Sequence, residues 1–408
     1  MAGSWKMVVR VLLVLPLLPL ASSSMVFKLG GSVYPTEHFY VTMNIGEPAK
    51  PYFLDIDTGS NLTWLECHDN NGPCNTCNKV PHPLYRPTLK KLVPCADPVC
   101  DALHKDLGTT KDCRAAPRQC DYEIHYLDGS SSLGVLVLDK FSLPTGSAPN
   151  IAFGCGYDQM QNSKKAPKKV PVDGILGLGR GSVDLVSQLK HSGAVSKNVI
   201  GHCLSSKGGG YLFIGEENVP PSHVTWVPMA PTTPEEPNHY SPGQATLHLG
   251  RNPIGTKPFK AIFDSGSTYT YLPENLHAQL VSALKASLSK SPLKLVSDTD
   301  TKLRLCWKGP KPFKTVHDLP KEFKSLVTLK FDHGVTMTIP PENYLIITGH
   351  GNACFGILEL PGYDLFVIGG ISMQEQLVIY DNEKGRLAWM PSPCDKMPKS
   401  KAAIISRI

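Results

Sequence analysis

One short pattern occurs twice and constrains the fold more than any other feature. Phe53-Leu54-Asp55-Ile56-Asp57-Thr58-Gly59-Ser60 is echoed by Ala261-Ile262-Phe263-Asp264-Ser265-Gly266-Ser267. In each copy an apolar run with strand character leads into Asp-[Thr/Ser]-Gly-Ser. Aromatic and apolar residues follow both: Leu62, Trp64 and Leu65 after the first, then Tyr269, Tyr271 and Leu272. Each also has a downstream apolar-apolar-Gly signal, Ile175-Leu176-Gly177 and Val367-Ile368-Gly369. A single Asp-Thr-Gly is an ordinary turn. Two copies in matching contexts predict duplicated halves, each offering one carboxylate at a strand end.

The rest of the 408 residues supports a turn-rich, mainly β chain. There are 35 glycines and 36 prolines, and charged residues are 19%. An average soluble domain has about 25% charged residues. Strand-like runs cover Phe39 to Ile45, Lys50 to Ile56, Tyr122 to Leu127, Gly134 to Leu138, Tyr211 to Ile214, Ala245 to Leu249, Leu326 to Phe331 and Leu377 to Tyr380. Lys207 to Gly210 reads as a turn. Leu276, Leu280, Leu284 and Leu288 predict a helix over Pro273 to Lys290. Ser182 is the expected cap of a shorter helix from Asp184 to Lys190. The Pro-rich stretch Val219 to Gly243 reads as a linker or long loop, and the Lys-rich stretch Asn162 to Lys169 as a solvated loop.

Residues 1–24 have the layout of a secretory signal: Lys6 and Arg10, an apolar run from Val11 to Leu20, then Ala21-Ser22-Ser23. The run is too short for a membrane span of about 20 residues. All twelve cysteines lie beyond it, seven of them between Cys67 and Cys120. In an oxidising compartment an even count reads as disulfides. Cys74-x2-Cys77 with His68 and His82 offers a competing zinc reading, but no second Cys pair completes it. The net charge of +6 is too small to argue for nucleic acid. No Gly-x-Ser-x-Gly, His-Glu-x-x-His or dinucleotide fingerprint occurs. We therefore expect no metal and no cofactor.

Two carboxylates brought together cannot both ionise. They share a proton, and their apparent pKa values split. One member can take a proton from a trapped water while the other donates to a carbonyl oxygen. Such a pair hydrolyses an amide without a covalent intermediate. Asp57 and Asp264 are the candidates. Thr58 and Ser265 could bond across the pair, and Ser60 and Ser267 could hold the outer oxygens.

These motifs, with Asp173-Gly174-Ile175-Leu176-Gly177-Leu178-Gly179, resemble a pepsin-family aspartic endopeptidase. The cysteine-rich insert, Phe153-Gly154-Cys155-Gly156 and Ser392-Pro393-Cys394 are similar to its plant nepenthesin/nucellin-like branch. The resemblance implies a bilobal β fold with the active cleft between two lobes. Expected segments are a signal peptide over 1–24, an N-terminal lobe over 25–205, a C-terminal lobe over 206–395 and a basic tail over 396–408. Asp57 and Asp264 correspond to the catalytic pair, with Gly59 and Gly266 in their loops. Tyr126 falls at the flap tyrosine and Trp64 at its hydrogen-bond partner. Cys306 and Cys354 match a recurring disulfide, and Cys203–Cys394 and Cys67–Cys155 are further candidate pairs.

Three departures stand out. Leu127 replaces the usual Gly after the flap tyrosine and should stiffen the turn. Too few residues separate residue 24 from Asp57 for an inhibitory prosegment of the usual length. The sequon Asn61-Leu62-Thr63 abuts the first motif and is expected to be buried and unmodified. The leading expectation is a monomeric endopeptidase of the secretory pathway, extracellular or vacuolar, acting on polypeptides. The alternative is a catalytically inactive relative that serves as a binding or inhibitor protein.

Overall fold

The computed structural model describes residues 24–68, 76–159, 169–222, 224–232 and 239–398. All of the expected signal peptide but Ser24, most of the Lys-rich loop and Cys74 lie outside them. The chain is mainly β. The first motif ends the strand Lys50–Asp57, which lies parallel to Gly174–Gly177 and pairs Asp57 with Gly177. Trp64–Glu66 runs antiparallel to that second strand. The second motif repeats the plan. Asn252–Phe263 lies parallel to Leu365–Ile368, which pairs antiparallel with Thr270–Pro273. The repeat in sequence is thus a repeat in topology. In each half the apolar-apolar-Gly strand is the one beside the aspartate strand.

Among the described residues thirteen strands form one sheet and seven another, with a further sheet of four. The large sheet holds the first motif, and its far end recruits late strands. Val199–Leu204 pairs with both Gly210–Ile214 and Gln376–Asp381. Arg386–Pro391 continues it. The strands on either side of the expected 205/206 boundary therefore pair with each other, and the last two strands of the chain join them. This places a shared floor beneath both motifs.

Glu274–Ser287 forms the expected helix, burying Leu276, Leu280 and Leu284 at a spacing of four. The shorter helix, Leu185–His191, is capped by Asp184 rather than Ser182. Asp184 Oδ1 accepts from Val186 N at 2.8 Å and Ser187 N at 3.0 Å. Ser182 instead bonds Asp106 through its backbone and hydroxyl. The Pro-rich stretch contains a strand, Trp226–Pro228, and gives way at Tyr240 to Tyr240–Leu249. A further helix, Pro98–Leu107, rises from the cysteine-rich region.

Disulfides join Cys67–Cys155, Cys95–Cys113, Cys100–Cys120, Cys203–Cys394 and Cys306–Cys354. Cys77 is disulfide-bonded as well. No helix among the described residues is long and apolar enough to cross a membrane.

Candidate active site

Each motif places its aspartate at the end of a buried strand, and the two turns face each other. Asp57 and Asp264 are 5% and 9% exposed. Their surroundings match member for member. Gly59 N donates to Asp57 Oδ1 at 2.8 Å, and Gly266 N to Asp264 Oδ1 at 3.0 Å. Ser60 Oγ donates to Asp57 Oδ2, and Ser267 Oγ to Asp264 Oδ2 at 2.7 Å.

The turns are also bonded to one another. Thr58 N donates to Ser265 Oγ at 3.1 Å, and Ser265 N donates to Thr58 Oγ1 at 3.0 Å. The hydroxyls then donate across the interface, Thr58 Oγ1 to Phe263 O at 3.2 Å and Ser265 Oγ to Ile56 O at 2.6 Å. The backbone and hydroxyl donors that link these two turns are matched, which makes the geometry rigid. Burial, with the neighbouring charge of Asp264, pushes the Asp57 carboxyl well above the usual carboxylate range.

A hairpin made of Asp121–His125 and Ser131–Ser142 carries Tyr126 to this site. Trp64 Nε1 donates to Tyr126 Oη at 2.6 Å. The Tyr126 hydroxyl also meets Ser60, which in turn bonds Asp57. Indole and phenol are thus joined by one hydrogen bond and hydroxyl and carboxylate by another, with Ser60 acting on the phenol between them. Leu127 does not strain the turn. The left-handed residue at the hairpin tip is Gly129, with φ 79°, and Asp128 Oδ1 accepts from Ser130 N at 2.9 Å. Replacing Tyr126 by Phe should cut kcat/KM roughly three- to tenfold, the value of one net hydrogen bond. Steady-state kinetics on the folded variant measures this.

Several residues that bear on the site carry no sequence signal. Glu37 adopts a left-handed backbone, φ 60°. Its carbonyl accepts from Thr268 Oγ1, and its carboxylate accepts from Tyr269 Oη at 3.2 Å. Tyr34 Oη donates to Asp300. These contacts tie the first half to the second, at Thr268 and Tyr269 just after the second motif and at Asp300. Asp55, two residues before Asp57 in the same strand, lies 2.5 Å from His38 Nδ1. Burial pushes the Asp55 carboxyl up, against the opposing pull of His38. Asn61 of the sequon is buried.

Cys100, His104 and Cys120 stand close together, but the two sulfurs are joined in a disulfide and offer no thiolate. Of the zinc-reading residues, His82 bonds Asp173 at 2.7 Å and His68 lies 2.9 Å from Arg86.

Behind the dyad wall, burial pushes the Glu66 carboxyl up to about 7. A carboxyl with a raised folded pKa binds its proton more tightly in the native state. Its contribution is full below the unfolded value near 4.5 and is lost as pH climbs through 7. The loss is on the order of 3 kcal/mol by pH 8. Glu66→Gln should therefore flatten the fall in unfolding free energy between about pH 5 and pH 8. Urea titrations at the two pH values check it, and an unchanged slope would refute it.

Comparison with known proteins decides the family. The description "Xylanase inhibitor N-terminal" matches residues 39–216, and "Xylanase inhibitor C-terminal" matches residues 242–391. An aspartic proteinase of Oryza sativa subsp. japonica is 49% identical over 425 residues, covering 100% of both chains. The chain belongs to the pepsin family of aspartic proteinases. Its enzyme class is that of the aspartic endopeptidases. A more distant pepsin-family relative is aspartic proteinase nepenthesin-2 of Nepenthes gracilis, 26% identical over 87% of this chain and 78% of that one. Among solved structures, basic 7S globulin from soybean superposes with a TM-score of 0.68 at 14% identity, covering 93% of this chain and 100% of that one. An aspartic proteinase from Irpex lacteus gives 0.62 at 16%, covering 91% and 98%. At such identity these two structures speak for the fold alone.

Proposed function

We propose that the protein hydrolyses internal peptide bonds of polypeptides with a water held between Asp57 and Asp264. One observation carries this reading: two buried carboxyls face each other, each lying against the other's glycine, with Thr58 and Ser265 bonding across them. The pair shares one proton. The ionised member takes a proton from water as the water oxygen attacks the carbonyl carbon. The protonated member donates to the carbonyl oxygen, giving a neutral tetrahedral diol. The carboxyl that took the proton from water gives it to the amide nitrogen, the C–N bond breaks as the diol returns one hydroxyl proton to the other carboxylate, and the pair is left with one shared proton. The hairpin that carries Tyr126 closes over the substrate and excludes water, with Trp64 bonded to the Tyr126 hydroxyl.

A second reading is a catalytically inactive binder, favoured by the inhibitor description that matches both halves. Retention of both aspartates, both outer serines and the flap tyrosine supports the enzyme. The chain is further proposed to travel the secretory route to the cell exterior or vacuole and to act as a monomer. The signal-like residues 1–24 and the paired cysteines support the route. Mass spectrometry of a denatured protein incubated with the mature chain between about pH 3 and pH 7 tests the function. Internal fragments are expected. Intact protein throughout the range would favour the binder.

A further inference from the structure

One buried titratable group takes no part in the chemistry above. His202 lies in Val199–Leu204, in the shared floor beneath the dyad, and is fully buried. Its Nε2 is 3.0 Å from Tyr380 Oη on Gln376–Asp381. The Tyr380 hydroxyl also reaches Thr58, the residue next to Asp57. His202 Nδ1 has no partner in the structure.

Counting donors gives the chain a direction. Thr58 Oγ1 donates to Phe263 O and accepts from Ser265 N, so toward Tyr380 it has only a lone pair left to offer. Any bond between Tyr380 and Thr58 therefore has Tyr380 as donor, which leaves the Tyr380 oxygen to accept from His202. The imidazole proton therefore sits on Nε2, leaving Nδ1 bare. An unmatched lone pair is less costly to bury than an unmatched N–H.

We propose that His202 and Tyr380 are positioning residues of the catalytic pair, in which neutral His202 donates to Tyr380, Tyr380 to Thr58, and Thr58 is thereby held in the orientation that fixes the Asp57 turn. The chain is the counterpart, from below, of the one that Trp64 and Tyr126 make from above. Burial lowers the His202 pKa to about 3, so the ring stays neutral through acidic working conditions. The groups facing it support this. Tyr380 and, beyond it, Tyr240 are neutral phenols, their pKa values raised by burial. Asp264 and Asp184 act on those phenols, while burial is the cause of the shift at the ring.

This deepens the endopeptidase reading and rests on it. The test uses the full mature chain with His202→Leu, His202→Gln, Tyr380→Phe and the double variant His202→Leu/Tyr380→Phe. Gln can still present an N–H where Nε2 stood. His202→Leu and Tyr380→Phe should each lower kcat roughly tenfold at unchanged KM. The double variant should lose no more than either single one. His202→Gln should recover to within about twofold of wild type. Additive losses, or a Gln variant as impaired as the Leu variant, would overturn the proposal, as would a folded His202→Leu protein with wild-type kcat. If the wild-type chain has no turnover, the endopeptidase reading fails, and nitrogen NMR of the histidine ring at about pH 4 decides the arrangement separately. A neutral Nε2–H ring supports it; a charged ring or an Nδ1–H tautomer overturns it.

Discussion

Replacing Asp57 or Asp264 by Asn should reduce peptide-bond hydrolysis by at least about 10³-fold while leaving the fold intact. Asn keeps the shape and, through its one oxygen, the hydrogen bond from Gly59 or Gly266, while its NH2 turns donor toward the hydroxyl of Ser60 or Ser267. It cannot exchange a proton with water. For Asp57 a second effect goes the other way. Burial, followed by the charge of Asp264, raises its carboxyl well above the usual range. A raised carboxyl costs stability once pH passes the folded value, because the native state then holds an unwelcome charge. The inactive Asp57→Asn protein should therefore melt no lower than wild type at about pH 8. Losing activity and Tm together would indicate that Asp57 serves the fold rather than the chemistry. Calorimetry beside a turnover assay separates the two outcomes.

The second large effect concerns the glycines. A Cβ built on Gly266 would sit 2.6 Å from the Asp57 carboxyl carbon, and one on Gly59 would sit 2.7 Å from that of Asp264. Neither distance is sterically possible, so a methyl group at either site pushes the opposite carboxyl aside. The carboxyls cannot retreat easily, since each is pinned by a backbone N–H and a serine hydroxyl. Displacement of a reacting group by about 1 Å costs about 10²-fold. Gly266→Ala should lower kcat/KM by at least that factor. Its effect should exceed that of Tyr126→Phe, which removes a single hydrogen bond. A Gly266→Ala enzyme of near wild-type kcat/KM would show that the carboxyls need not be so close.

Much of the site is legible in the sequence because its parts are local. Asp57 to Ser60 and Asp264 to Ser267 each carry their own strand, turn and outer serine within a few residues. The periodic leucines of Glu274–Ser287 are equally plain. What escapes depends on distant packing. His202 and Tyr380 are 178 residues apart, and only the pairing of Val199–Leu204 with Gln376–Asp381 brings them together. Tyr34 and Asp300 are 266 apart. The helix Pro98–Leu107 is a different case. Asp97 caps it, Pro98 opens it and Gly108 closes it with φ 65°, so its boundary signals are present. Its apolar face is short and interrupted by Cys100, which obscures the period. The cap of the next helix shifts from Ser182 to Asp184 because Asp106 engages Ser182 from another part of the chain. Leu127 takes no left-handed backbone at the hairpin tip, because the left-handed turn falls two residues later, on Gly129.

The central claim is that a shared proton between Asp57 and Asp264 drives hydrolysis. The most direct test is the initial rate of cleavage of a denatured protein from about pH 3 to pH 9, with and without pepstatin. The account predicts a maximum on the acid side, where the singly protonated pair is populated, and its removal by stoichiometric pepstatin. A maximum above about pH 8, or cleavage indifferent to pepstatin, would contradict it.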